Sequence, residues 1–138
     1  MDKSEMTQAK VLKVVEGNEI SLPSDFVKGM SQPFGLAILV VKDRNVKIYP
    51  VDSDKVLYLR LEIEKLSKSF LEELTSIFER ADLEDILFTS GICQEASKCF
   101  YECYFTPEQL SMEVDDLRDQ ISGITGVKKV KLINVPFE

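Results

Sequence analysis

The chain has 138 residues, of which 44% are hydrophobic and 30% are charged, and its formal net charge is −7 at pH 7. This length allows one ordinary domain or two very small ones, and the composition is that of a globular protein. No apolar run approaches the roughly 20 residues that span a bilayer. The polar start of the chain also lacks the layout of a signal peptide. We therefore expect no membrane association and a cytoplasmic location.

The charge is unevenly distributed. Residues 1–50 carry seven basic and six acidic side chains, whereas residues 51–138 carry ten basic and eighteen acidic ones. Because an acidic surface repels phosphate, the second half is a poor candidate for binding nucleic acid. A local basic patch remains compatible with the nearly neutral first half.

The three cysteines and the absence of histidine limit the disulfide, metal and redox sites that the chain can form. A small, odd number of cysteines argues against a disulfide framework, and the common Cys/His zinc sites need histidine. Cys99 and Cys103 share one predicted strand face with Tyr101 and Phe105, which predicts that they are buried apolar residues. The alternative is a redox or metal site that includes Cys93. We predict no catalytic residues, no metal and no cofactor.

The first part of the chain predicts a small β-rich domain over residues 10–52, after a leader at 1–9. A strand-like pattern at 10–15 and turn residues at 16–19 come first, and a short helix is expected at Phe26–Met30. Leu36–Val41 is apolar on both faces, so we expect a strand that is covered on both sides. A return strand, Val46–Tyr49, should stop at Pro50.

Proline, serine and aspartate cluster at Val51–Lys55, which is the predicted domain boundary. Beyond it, apolar residues alternate along Val56–Ile63 as in a half-buried strand. A helix then begins after Ser67 or Ser69. The remaining predicted elements are strands at Ile86–Cys93, Lys98–Phe105 and Val127–Ile133, and a helix that begins near Pro107 or Ser111.

This order of elements predicts an α+β fold over residues 55–138. One antiparallel sheet with both helices on one face, the ferredoxin-like β-α-β-β-α-β arrangement, satisfies it. The other face of the sheet, with Tyr58, Arg60 and Glu62, is free to contact solvent, a second subunit or the N-terminal domain.

The second half resembles ACT domains, which are small-molecule-sensing modules of amino-acid metabolism. The order of elements matches, and Ile121–Val130 is similar to the family's closing pattern L-x-x-I-x-G-V-x-x-V. The resemblance implies a regulatory unit that pairs side by side and binds an amino acid or a similar effector. Because the family's ligand loop joins the first strand to the first helix, the implied ligand-binding residues are Lys65, Ser67, Lys68 and Ser69. The loop here has no glycine, where the family has one.

The first half resembles the AbrB/MazE/SpoVT swapped-hairpin family. Gly17–Pro23 is similar to the family pattern G-R-I-x-I-P. The stretch from Gly35 to Pro50 is similar to the hairpin that closes the family's domain. The resemblance implies that two chains interlock into a homodimer, which in that family often binds DNA. The implied DNA-binding residues are Lys13, Lys28 and Arg44, although the acidity of the chain disfavours DNA.

Two charged groups allow a functional and a structural interpretation. Glu62 and Glu64 share a strand face, but solvated surface charge explains them better than acid–base catalysis. The last predicted strand carries three lysines close together, Lys128, Lys129 and Lys131. Lysines commonly protect an edge strand against unwanted pairing, and binding of a carboxylate or phosphate is the alternative.

Together these patterns favour a non-catalytic, dimeric regulatory protein that senses an amino acid or a similar small effector. An assembly or adaptor protein with an unknown partner and an AbrB-type transcriptional regulator are the alternatives. An enzyme ranks last, because no familiar catalytic arrangement is present.

Overall fold

The computed structural model describes residues 9, 11, 19 and 21–137. The chain divides into two compact units, Met1–Asp52 and Ser53–Glu138. Most of the predicted strand at 10–15 and of the turn at 16–19, including Lys13, lies outside the described residues. The described residues form an α+β protein with three α-helices and two antiparallel sheets. Among them, no helix is long and apolar enough to cross a membrane.

The first unit contains a short helix and a β-hairpin. Helix α1 spans Ser24–Gly29, and strands β1 (Phe34–Val40) and β2 (Asn45–Val51) pair antiparallel. The prediction that the second strand stops at Pro50 is wrong, because Pro50 pairs with Gly35 within the ladder. A strand with only one neighbour tolerates proline, since only one side of its backbone must supply ladder donors.

The two faces of the hairpin differ in exposure. Leu36, Ile38 and Val51 on one face are buried. On the other face, Leu39 is 68% exposed, and its cross-strand partner Val46 is 54% exposed. The prediction that Leu36–Val41 is covered on both sides is therefore wrong, because the apolar composition of a strand does not itself supply a second covering layer.

The second unit contains one four-stranded sheet and two α-helices. Along the chain, its elements are β3 (Leu57–Ile63), α2 (Lys68–Arg80), β4 (Phe88–Glu95), β5 (Lys98–Phe105), α3 (Val114–Ser122) and β6 (Val127–Asn134). The strand order is β4-β5-β3-β6, and all neighbours are antiparallel. Strands β4 and β6 are therefore the edges of this sheet.

The core of the second unit lies between the helices and one face of the sheet. The alternation predicted for the first strand is confirmed, since the four apolar residues on one side of β3 are buried. These are Leu57, Leu59, Leu61 and Ile63. Apolar residues of both helices belong to the same cluster, including Leu74 of α2 and Leu117 of α3. Burying one leucine in this way stabilises the fold by about 1.5–3 kcal/mol.

Local hydrogen bonds fix the ends of helix α2. Of the two predicted caps, Ser67 is the one used: its hydroxyl accepts a hydrogen bond from the Phe70 N–H at 3.1 Å. At the other end Asp82 has a φ of 57°, and the Leu83 N–H donates to the Phe78 carbonyl at 2.9 Å. This 6→1 hydrogen bond across a left-handed residue is a common helix stop.

Neither predicted start of the second long helix is correct. Pro107 begins a 3₁₀ turn, Pro107–Gln109, and helix α3 begins only at Val114. The side chain of Gln109 binds the preceding loop: its Oε1 accepts from the N–H groups of Glu84 and Asp85, both at 3.0 Å. Pro107 therefore begins the 3₁₀ turn whose Gln109 binds this loop, and it does not begin the helix.

The predicted burial of two cysteines is confirmed, because Cys99 and Cys103 are both buried. The expectation of no disulfide is wrong for one pair, since Cys93 of β4 is bonded to Cys99 of β5. Strand register explains this, because Cys93 and Cys99 lie directly opposite each other in the ladder. Cys103 is a free thiol, and burial raises its pKa to about 12.

Candidate functional site

The face of the sheet opposite the helices carries polar, charged and aromatic side chains. Because side chains alternate along a strand, the residues between the buried leucines of β3 point to this side. The register places Tyr104, Glu102 and Phe100 of β5 beside Tyr58, Arg60 and Glu62, respectively. On the other side of β3, it places Ile133, Lys131 and Lys129 beside the same three residues. We call this surface the open face.

A groove of about 600 Å³ lies on the open face. Strands β3, β5 and β6 supply its lining, which includes four cations, one carboxylate and one aromatic ring. The lining residues are Arg60, Glu62, Lys98, Phe100, Lys129, Val130 and Lys131. We call it the cationic groove.

The cationic groove concentrates positive charge on an otherwise acidic unit. After residue 52 the chain has ten lysines and arginines, and four of them line the groove. Of the sixteen aspartates and glutamates among the described residues of the same stretch, Glu62 alone is part of the lining. The acidity of the second half is therefore a property of its other surfaces, and the sequence-based argument against phosphate binding does not apply to this groove.

Few contacts among the described residues neutralise these cations. Glu62 is 3.9 Å from the Lys129 ammonium group, a long contact whose lysine is mostly exposed, and such pairs contribute little to stability. Arg60 lies between Glu102 on one neighbouring strand and Lys131 on the other. Two like charges opposite each other destabilise a sheet, so an anion bound beside Arg60 and Lys131 would be stabilised.

Phe100 provides an apolar surface in the groove. The Arg60 guanidinium carbon lies 4.6 Å from the centroid of the Phe100 ring, which is a cation–π distance. This contact holds the guanidinium group against a partly exposed ring. The pair therefore presents a charge and a flat surface side by side.

An aromatic group adjoins the groove on the open face. The rings of Tyr58 and Tyr104 are 4.9 Å apart, and Phe88 lies edge-on to Tyr104 at 6.1 Å. The Tyr58 hydroxyl donates to a Glu102 carboxylate oxygen at 2.7 Å. Burial, together with this hydrogen bond, raises the pKa of Tyr58 well above its usual value. The phenol therefore stays protonated at physiological pH and remains a hydrogen-bond donor to Glu102.

A second, smaller depression of about 150 Å³ shares Arg60 and Phe100 with the cationic groove. Its lining also includes the Glu102 carboxylate of β5 and, from strand β4, the hydroxyl-bearing Ser90 and the amide-bearing Gln94. The two depressions together extend over all four strands. The open face thus combines cations near β6 with hydrogen-bonding side chains near β4.

The structure places the predicted ligand loop elsewhere. Ser67 is occupied as the cap of helix α2, and Lys68 is 3.8 Å from Glu72 on the exposed surface of that helix. Lys65 and Ser69 are exposed. The four predicted residues are neighbours in sequence, but they do not contribute to the lining of the cationic groove.

The predicted DNA-binding residues lie in the first unit. Lys28 is exposed in the last turn of α1. Arg44 is exposed in the hairpin turn, with a left-handed φ of 54°. Lys13 lies outside the described residues, and DNA binding by these three cations stays a prediction.

Comparison with known proteins gives no further guide. No family model matches the chain, and no curated protein matches it. The functional proposals below therefore rest on the contacts, exposure and charges of the described residues.

Sequence reasoning identified only part of the groove. The sequence allows phosphate or carboxylate binding by the lysines of the last strand, and Lys129 and Lys131 do line the groove. Lys128 instead donates to the Ser97 carbonyl at 2.8 Å. Arg60 and Lys98 were missed because only the strand order β5-β3-β6 brings them beside Lys129 and Lys131. Their position on the polar side of alternating strands was the available signal.

Proposed function

We propose that this chain is a non-catalytic, homodimeric regulatory protein. Its first unit would provide the dimer contact, in the manner of AbrB-like hairpins. Its second unit would be a ferredoxin-like, ACT-like module that binds a small effector. The uncovered apolar face of the β1–β2 hairpin is the observation that carries the proposal.

The hairpin supports dimerisation by its size and exposure. Leu39, Val46 and Ile48 stand on one face of two strands and are each more than two-fifths exposed. A two-stranded sheet is only marginally stable by itself in water. The same face of a second copy would remove these side chains from water and would supply the missing layer.

The strand order supports the ferredoxin-like assignment. The first strand of the unit lies next to the third and the fourth, and the second strand is an edge. Both long helices contribute to the core on the same face as the β3 leucines. This arrangement leaves the other face available for a ligand, which suits a sensing module.

The dimer is tested by substituting the uncovered face. The wild-type chain should have twice the mass of 15.7 kDa in size-exclusion chromatography with light scattering. Leu39→Lys should give a monomer, because it places a charge in the proposed contact. Ser24→Lys, at an exposed position of α1, is the matched control and should stay dimeric. A wild-type monomer at working concentration would contradict the proposal.

The effector is proposed to be an amino acid or a similar small molecule, bound at the loop that contains Lys65, Ser67, Lys68 and Ser69. A ligand at about 100 times its Kd should add about 2.7 kcal/mol to stability. Thermal unfolding of the full chain with each of the common amino acids measures this effect. Lys65→Ala should remove the shift, whereas Lys55→Ala should keep it. A panel without any shift would contradict the sensing function and leave the dimer untouched.

A further inference from the structure

We propose that the open face of the second unit binds single-stranded nucleic acid, with phosphates in the cationic groove and a base against Phe100. This inference goes beyond the proposed regulatory function, and it uses a different surface from the predicted effector loop. It depends on the segregation of charge, the spacing of the cations and the exposed aromatic surface.

The spacing of the cations favours a ligand with several negative charges. Lys129 and Lys131 are two residues apart on β6, which corresponds to about 7 Å along the strand. Lys98 lies on β5, two strands away, or about 10 Å across the sheet. A single small anion would contact only part of this set. A chain of phosphates can contact all of it.

The groove sits on a unit that otherwise repels phosphate. Among the residues that the structure describes after residue 52, four of ten basic side chains but only one of sixteen acidic ones line it. A polyanion would therefore be directed to this surface and away from the helical face, where Asp115 and Asp116 lie in the first turn of α3. The close approach of Arg60 and Lys131 on neighbouring strands would become favourable once a phosphate lay beside them.

The aromatic surface favours unpaired bases. Phe100 is partly exposed in the groove, and the guanidinium group of Arg60 lies against its ring. Bases of single strands stack on such rings and on arginine planes, whereas bases inside a duplex have no free face. The adjoining depression supplies Ser90 and Gln94, whose side chains can form hydrogen bonds with the edges of an unpaired base.

The test is a binding titration of the full chain with a labelled oligouridylate of about 12 nucleotides, followed by fluorescence anisotropy. We expect saturable binding that weakens as salt rises from about 50 to 200 mM. Phe100→Leu keeps an apolar side chain but removes the ring, and it should weaken binding at least about fivefold. Lys131→Ala should weaken binding and lower the slope of log affinity against log salt by about 0.7.

Matched controls separate the groove from general electrostatic attraction. Lys55→Ala removes the same charge at an exposed position outside the groove and should leave both the affinity and the salt slope unchanged. A duplex of the same length should bind more weakly than the single strand. Circular dichroism of each variant checks that the fold is kept.

Several outcomes would overturn the proposal. They are no binding of the single strand at low salt, equal or tighter binding of the duplex, or equal losses for Lys131→Ala and Lys55→Ala. A particle mass that rises at low salt in the absence of nucleic acid would also overturn it. That result would show that the groove binds the acidic helical surface of another copy of the chain. None of these results depends on the hairpin dimer or on an amino-acid effector, so they leave the proposed regulatory function separately testable.

Discussion

The two faces of the four-stranded sheet are built from the same strands but have different roles. On β3, Leu57, Leu59, Leu61 and Ile63 point to the helices and are buried, whereas Tyr58, Arg60 and Glu62 point to the open face. Because successive side chains of a strand point to opposite faces of the sheet, one regular strand can contribute to both faces. The buried face accounts for stability, and the open face is the surface for which we propose recognition. Substitutions on the two faces should therefore separate stability from binding.

The largest expected effect is the loss of a buried leucine. Leu61 is completely buried, so Leu61→Ala should lower the free energy of unfolding by about 2–5 kcal/mol through lost burial and a residual cavity. Lys131→Ala, on the open face, should change it by no more than about 0.5 kcal/mol. Chemical denaturation monitored by circular dichroism measures both. Similar losses for the two variants would contradict the division between faces.

The next effect concerns the disulfide at the edge of the sheet. Cys93 and Cys99 are six residues apart in sequence and are bonded between β4 and β5. Opening a loop this short should lower the free energy of unfolding by about 2 kcal/mol.

Denaturation with and without a phosphine reductant measures this loss. The variant Cys93→Ser provides the control, because the reductant has no bond to open in it and should have no effect. A wild-type chain that responds to the reductant no more than this variant does would show that the bond contributes nothing to stability.

A further effect is expected at alkaline pH, on the helix side of the sheet. Burial raises the pKa of Cys103 from 9.0 to about 12. Burial likewise raises the pKa of Tyr101 from 10.0 to about 12. The unfolded chain therefore loses these protons at lower pH than the folded chain does.

Stability should thus be insensitive to these two groups below a pH of about 8 and should fall as the pH rises toward 12. Urea midpoints measured across this range test the direction. Cys103→Ala should show a shallower fall than the wild-type chain. A midpoint that rises between these pH values would contradict the assigned pKa shifts.

Much of the buried face could be predicted from sequence, because alternation and helical periodicity are local signals. The leucines of β3 and the burial of Cys99 and Cys103 follow from short windows, which also restrict the helix cap to Ser67 or Ser69. The start of α3 was not, because Pro107 fits a helix start and a 3₁₀ turn equally well. The long-range hydrogen bonds of Gln109 to Glu84 and Asp85 are not visible in a local pattern.

The cationic groove could not be predicted for a related reason. Arg60, Lys98 and Lys131 are far apart in the chain, and strand order alone brings them together. Counting charges over the whole second half gave an acidic average and concealed the local excess of cations. The exposed face of the hairpin was also missed, since apolar residues on both sides of β1 do not indicate which side is covered.

The most direct test of the open face as a recognition surface is a map of amide chemical shifts during titration with single-stranded oligouridylate. We expect the largest changes at Arg60, Phe100, Lys129 and Lys131, with little change along α2 and α3. Changes confined to the helices or to the first unit, with the amides of the open face unaffected, would contradict the assignment of this face to ligand recognition.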